Sequence, residues 1–148
     1  MATISGGKVF EAKIRELAAR VSRPALLRVG FLENARYPDG KPVAMIAAIH
    51  NWGAPSRGIP PRPFFSNMIK DKQGEWPAAI AGLLRDNDWD AERALDIAGA
   101  EIAGQLRQAI TDFYGVPLKP ATIARKGFDK QLIDTAHMLQ SVDHEVRT

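Results

Sequence analysis

The fold is decided by the stretch from Asp90 to Phe113, which reads DAERALDIAGAEIAGQLRQAITDF. Its apolar side chains recur every three or four residues, a spacing that places them on one side of an α-helix. That stripe comprises Leu95, Ala98, Ile102, Leu106, Ala109, Ile110 and Phe113. We expect this longest helix to begin at Asp88 or Asp90, because a carboxylate there can accept hydrogen bonds from the unpaired amides of the first turn. Gly115 is expected to end it.

Shorter elements lie on both sides of this helix. Residues 26–32 are branched and aromatic, which predicts a β-strand, and 142–146 alternate apolar and polar residues, which predicts a second strand. Further helices are predicted over 9–21, 43–52, 64–69, 76–84, 122–126 and 134–139, with Pro24 after the first and Gly53 closing the second. The sequence therefore predicts an α+β fold, a single domain over residues 1–148 with several helices and a small, mostly antiparallel sheet.

Residues 53–63, GAPSRGIPPRP, contain four prolines. Each proline removes a backbone donor and favours polyproline geometry, so we expect an extended arm here. Phe64 and Phe65 follow it, and two compatible readings remain open: they pack into the core of their own chain, or they are buried against a neighbouring molecule. Trp52, just before the arm, follows the apolar residues Ile46 and Ile49 at helical spacing, so we expect it in the core.

Charge is distributed unevenly along the chain. The 148 residues carry 20 Lys and Arg against 17 Asp and Glu, a formal net charge of +3. Residues 1–70 hold 11 basic against 4 acidic side chains, whereas residues 71–115 hold 4 against 9. Such a chain can bind nucleic acid through its basic part, or stack copies of itself with opposite charges facing. A solvated surface on which the signs segregate is the third reading.

Few residues suggest chemistry. The chain has no cysteine, which excludes disulfides, thiolate catalysis and cysteine-ligated zinc or iron–sulfur sites. It has no glycine-rich phosphate-binding motif and no nucleophile elbow. The three histidines fall in separate predicted elements, without a metal ligand at the usual spacing: His50, His137 and His144. We therefore expect no enzyme activity, no cofactor and no metal site.

One acidic cluster has the alternating spacing that opens a calcium loop. It comprises Asp86, Asp88 and Asp90. However, Ala91 stands where that loop requires glycine, and Ile97 stands where it requires a bidentate glutamate. Helix capping is the better interpretation of the cluster.

Basic residues around Phe64 and Phe65 support an alternative function. They are Arg57, Arg62, Lys70 and Lys72. Charge interleaved with aromatic stacking platforms is typical of proteins that bind single strands. The alternative is thus a DNA-binding accessory protein that uses the basic half, residues 1–70. A small hydrolase is the third class, because a sequence does not reveal residues that meet only in the fold.

Four segments, in this order and spacing, resemble a known family. They are 47–54 (AAIHNWGA), 58–65 (GIPPRPFF), 118–127 (LKPATIARKG) and 132–142 (LIDTAHMLQSV). The set resembles the tail-completion, or head–tail joining, proteins of long-tailed bacteriophages and prophages, and the related virion-morphogenesis proteins of transposable phages. The resemblance extends from about Arg28 onward. It departs from the family at Asn51, where Glu is frequent, and at Ala136, where Gly is frequent.

The resemblance implies a structural role without catalysis. Such proteins form rings, generally of sixfold or related symmetry, in the neck that joins a DNA-filled head to a tail tube. The expected partners are other copies of the chain, neighbouring neck, connector, tail-terminator or tail-tube proteins, and DNA that passes through the channel without sequence-specific contacts. No membrane is expected, and the implied location is the virion, with the host cytoplasm during assembly.

The arm at 53–63 gives this assembly a specific hypothesis. We expect it to clasp an adjacent subunit, with Ile59 as its apolar anchor and its arginines bonded to carboxylates of the neighbour's acidic stretch. The residues proposed for this contact are Arg57, Ile59, Pro60, Pro61, Arg62, Phe64, Phe65, Asp86, Asp88 and Asp90.

Overall fold

A computed structural model describes residues 6–113, 120–126 and 136–148. These residues form seven α-helices and two antiparallel strands, which confirms the α+β prediction. The elements in chain order are α1 (Gly7–Val21), β1 (Leu26–Phe31), α2 (Val43–Trp52), α3 (Phe64–Lys72), α4 (Trp76–Asp86), α5 (Ala91–Asp112), α6 (Pro120–Lys126), α7 (His137–Gln140) and β2 (Val142–Arg147).

The sheet pairs two strands that are distant in sequence. Leu26 lies opposite Arg147 and Phe31 lies opposite Val142. Because side chains alternate across a strand, Leu27 and its neighbours at every second position face α5, and the residues between them face away. The outward face carries a part-buried ion pair in which Arg28 Nη1 lies 3.0 Å from Glu145 Oε1. The face toward α5 is thus mostly apolar, with His144 as its polar member, and the outward face carries the charged side chains.

The core is built around α5, as its apolar stripe predicts. Ala98, Ile102, Leu106 and Ile110 of the stripe are buried. The other elements add Val43 and Ala47 from α2, Phe64 and Met68 from α3, and Met138 and Val142 from α7 and β2. α5 begins after Asp90, whose side chain accepts a hydrogen bond of 3.1 Å from the Arg93 amide. The capping interpretation is thereby confirmed for Asp90.

The predicted element boundaries differ from the observed ones by a few residues. α5 ends at Asp112, because Phe113 is extended, with φ −62° and ψ 122°. α6 begins at Pro120 rather than residue 122, and α4 continues to Asp86. The stop signals predicted at Gly115 and Gly127, the extended segment 117–119 and the first residues of the helix predicted at 134–139 lie outside the described residues.

A tight turn precedes α2. The Gly40 amide donates to the Tyr37 carbonyl at 2.9 Å, and Gly40 has φ +85°. The Lys41 amide donates to Asp39 Oδ1 at 3.1 Å, and the Lys41 ammonium lies 3.0 Å from the same carboxylate. These hydrogen bonds lower the pKa of Asp39.

Gly99 sets the distance between α5 and the sheet. A Cβ atom at this position would lie 2.4 Å from His144 Cδ2 and 2.7 Å from Leu27 Cδ1. We expect Gly99→Ala to destabilise the fold by about 1–2 kcal/mol, since overpacking outweighs the gain in helix propensity. Gly104→Ala is the matched control on the same helix, because nothing lies within 4 Å of its Cβ position. Urea unfolding should show Gly104→Ala unchanged or more stable, and equal losses for both variants would contradict this account.

Candidate assembly surface

The proline-rich segment folds back on itself. The Ala54 amide donates to the Ile59 carbonyl at 2.9 Å, the Ile59 amide donates to the Ala54 carbonyl at 3.1 Å, and Pro55–Arg57 forms a 3₁₀ turn. The prediction of an extended arm is therefore wrong for residues 54–59. The physical reason is that Gly53 and Gly58 adopt φ +77° and +65°, which lets the chain reverse direction. Residues 60–63 lie outside any helix or strand. We call residues 53–63 the proline loop.

Asn51 fixes the chain that follows the proline loop. This side chain is 2% exposed. Its Oδ1 accepts hydrogen bonds of 3.1 Å from the amides of Phe65 and Ser66, and its Nδ2 donates to Ser66 Oγ at 2.6 Å. Asn51 thus satisfies two amides in the first turn of α3, where the N-cap position is Pro63 and supplies no side-chain hydrogen bond.

The capping role of Asn51 was not predicted from the sequence. One signal was present, because α3 follows Pro63 and no Ser, Thr, Asp or Asn occupies its N-cap position to accept the orphan amides. Such a helix start needs an acceptor from elsewhere in the fold. Nothing in the sequence singles out Asn51 as that acceptor.

The predicted contact residues divide into buried and exposed groups. Phe64 is 1% exposed and Phe65 is half-buried, with their ring centroids 6.4 Å apart, so core packing of Phe64 is confirmed. Arg62 is 9% exposed, and its amide donates to the His50 carbonyl at 2.7 Å. Arg57 and Pro61 are exposed, and Ile59 and Pro60 are half-buried. Of the two arginines of the proline loop, Arg57 is the one that reaches solvent.

Trp52 lies on the surface, so its expected place in the core is wrong. It is 67% exposed. The buried side of α2 is formed by Val43, Ala47 and Asn51, at four-residue intervals. Trp52 comes one residue later and is rotated about 100° around the helix axis from Asn51. The apolar residues Ile46 and Ile49, on which the expectation rested, are themselves only half-buried.

An apolar groove of about 230 Å³ opens beside Trp52. Within the part of the chain that the structure describes, no charged side chain lines it. Its lining includes Val29, Phe31, Ala44, Ala48 and Phe65. We call it the Trp52 groove. An exposed tryptophan at the rim of an apolar groove is typical of a protein–protein contact, because burying it removes a large apolar area from water.

The acidic cluster lies at the turn between α4 and α5. Asp86, Asp88 and Asp90 are all exposed. Asp88 and Trp89 adopt φ +53° and +60°, and Arg20 Nη1 donates to the Asp88 carbonyl at 3.2 Å. The proline loop and this acidic turn belong to different parts of the chain, and no described hydrogen bond or ion pair joins them.

The histidines contact different partners. His144 Nε2 lies 2.9 Å from Asp96 Oδ1, and His137 Nε2 lies 2.7 Å from the Arg36 carbonyl. His50 supplies its carbonyl to the Arg62 amide. Within the described ranges, no group of three or more His, Asp or Glu side chains is arranged to hold a metal ion.

Comparisons with known proteins give no match: no family model, no curated protein and no solved structure is significantly similar to this chain. Of the helices in residues 6–113, 120–126 and 136–148, none combines the length and the apolar composition needed to cross a membrane.

Proposed function

We propose that this chain is a structural virion protein, which assembles as a ring in a phage neck or at a tail end and helps to join the tail to the head. The observation that carries the proposal is the exposed apolar surface at Trp52, directly before the proline loop with its exposed Arg57. Trp52 lies in segment 47–54 and the second half of the proline loop lies in segment 58–65, two of the four segments on which the family resemblance rests. Neither Trp52 nor Arg57 is among the residues that form the hydrophobic core.

The distribution of charge supports contacts between unlike surfaces. The proline loop presents the guanidinium of Arg57, and the α4–α5 turn presents the carboxylates of Asp86 and Asp88. A contact between the basic surface of one copy and the acidic surface of the next is head-to-tail, and head-to-tail contacts that close form rings. Arginine suits this contact because its planar guanidinium can bond a carboxylate through two parallel hydrogen bonds.

Imaging and mass measurement test the assembly. We expect the purified chain to form closed rings, either alone or on the ends of isolated tail tubes, in negative-stain micrographs and by light scattering. A chain that stays monomeric and leaves tail ends unoccupied would contradict the proposal. The DNA-binding alternative predicts a different result, in which tight binding weakens steeply with salt as counterions are released.

Charge reversal at Arg57 should weaken the ring. We expect Arg57→Glu to lower the association constant at least tenfold, about 1.4 kcal/mol, because it places like charges in the contact. Combining Arg57→Glu with Asp88→Arg should restore association in part. The control is Lys70→Glu, an exposed change of the same charge on α3. Sedimentation equilibrium measures the association constant of all three variants. An equal loss of association in Lys70→Glu would show that Arg57 is not part of the contact.

A further inference from the structure

α1 packs only loosely on the other described elements: Leu17 is half-buried, and the last turns of the helix face Asp90 and Glu92 across a cavity. None of its side chains is buried, and Phe10 is 68% exposed. Phe10, Ile14, Leu17 and Val21 lie on one side of the helix at intervals of three and four residues. Among the described residues, one side-chain hydrogen bond joins α1 to the rest of the fold: Arg20 donates to the Asp88 carbonyl. An isolated helix of 15 residues is marginal in water, so this stripe needs a surface to cover it.

A second groove offers such a surface. It has a volume of about 340 Å³ and lies between β1, α3, α4 and α5. The described residues that line it are all apolar and include Leu27, Ile69, Trp76, Ile80 and Leu95. We call it the Trp76 groove. It is distinct from the Trp52 groove, with which it shares Val29 and Phe65.

The charges around the Trp76 groove complement those of α1. Residues 76–101, which span α4 and the first half of α5, hold six acidic and two basic side chains. Glu92 is exposed and lies three residues before Leu95, a spacing that brings helix side chains together, whereas Asp96 is already paired with His144 Nε2 at 2.9 Å. α1 holds four basic and two acidic side chains, and its Glu11 and Glu16 already pair with Arg15 and Arg20 of the same helix. The helix therefore presents a positive surface to a negative rim.

We propose that α1 of one copy docks in the Trp76 groove of a second copy, with Phe10 and Ile14 against Ile80 and Leu95. The contact joins two different surfaces, so each copy can donate a helix to one neighbour and accept a helix from another. This inference deepens the proposed function and rests on it for the closure of these contacts into a ring. The contact itself is testable without phage components.

A disulfide trap tests the pairing directly. Because the natural chain has no cysteine, the double variant Ile14→Cys with Ile80→Cys introduces the only two thiols. We expect mild oxidation to yield covalent dimers and longer chains on a non-reducing gel. Pairing of Ala12→Cys with Ile80→Cys is the control, since residue 12 lies on the opposite side of α1 from the stripe. Crosslinking within single chains, or equal crosslinking in the control, would overturn the proposal.

Solution measurements separate this contact from other roles of α1. Ile14→Asp should weaken self-association at least tenfold and leave the circular dichroism of the body unchanged, because α1 contributes no buried side chain. Ala12→Asp carries the same new charge and should associate normally. If rings form equally well with Ile14→Asp, this docking is wrong and the proposed function stands. If α1 pairs in trans but no ring forms, the docking stands and the proposed function fails. Stripe-dependent binding of a monomer to anionic phospholipid vesicles would also overturn the docking.

Discussion

Replacing Asn51 by leucine is expected to destabilise the fold by about 3 kcal/mol. Leucine has a similar volume but no acceptor, so the amides of Phe65 and Ser66 lose their partner in a buried site. Each buried amide left without a hydrogen bond costs about 1–3 kcal/mol. The loss should appear as a lower urea midpoint with an unchanged m-value. α3 carries Phe64 and Met68 into the core, so a frayed first turn also loosens their packing.

Asn51→Asp is the matched control. The carboxylate keeps two acceptor oxygens for the amides, and Ser66 Oγ can donate its proton to the carboxylate in place of accepting from the amide group. A negative charge at the first turn of α3 is also favoured by the helix dipole. We expect Asn51→Asp to lose less than about 1 kcal/mol at pH 7. If Asp and Leu destabilise equally, the capping role of Asn51 is wrong.

Gly53→Val is the second substitution with a large expected effect, a loss of about 3–5 kcal/mol. Gly53 has φ +77°, where a β-branched residue is strained, and such strain costs about 1–3 kcal/mol. A Cβ at this position would lie 2.8 Å from both the Ile59 carbonyl oxygen and the Pro61 nitrogen. These are backbone atoms, so relief requires the proline loop to move, at a further cost typical of overpacking, about 1–3 kcal/mol.

Gly58→Val provides the comparison within the same loop. Gly58 has φ +65°, but nothing lies within 4 Å of its Cβ position. Gly58 has ψ 26°, in the left-handed helical region, whereas Gly53 has ψ 177°, in a region that is essentially restricted to glycine. Gly53→Val therefore has the larger backbone strain and, in addition, the steric clash. Thermal unfolding should rank Gly53→Val well below Gly58→Val, and limited proteolysis should cut the loop faster in the first variant. Equal melting temperatures would show that the loop yields to the added side chain at little cost.

The regular elements could be predicted because their signals are local. The stripe of α5, the β-propensity of 26–31 and the glycine after Trp52 each lie within a few residues of the structure that they specify. The two failures have different causes. In the proline loop, the positive φ angles of Gly53 and Gly58 reverse the chain, and the prediction gave more weight to the four prolines than to these glycines. At the start of α3, the cap comes from Asn51 of α2, and that contact leaves no local pattern.

For the candidate surface, the charged residues were predicted correctly, but the solvent exposure of Trp52 was not. Arg57 and the acidic turn were identified from charge alone, and both face solvent. Trp52 was assigned to the core because apolar periodicity identifies a helix more reliably than it identifies which side is covered. On a helix as apolar as α2, the neighbouring elements choose the buried side, and here β1 and α3 cover Val43, Ala47 and Asn51.

The pairing of β1 with β2 affects how the chain folds during synthesis. Arg28 and its partner Glu145 are 117 residues apart in sequence. At a translation rate of about 5–20 residues per second, β1 waits roughly 6–23 s for its partner strand. During that interval Leu27 and Val29 lack half of their sheet, although the α4–α5 pair can already form from contacts close in sequence. The nascent chain is thus a candidate for chaperone binding at β1 until β2 has left the ribosome.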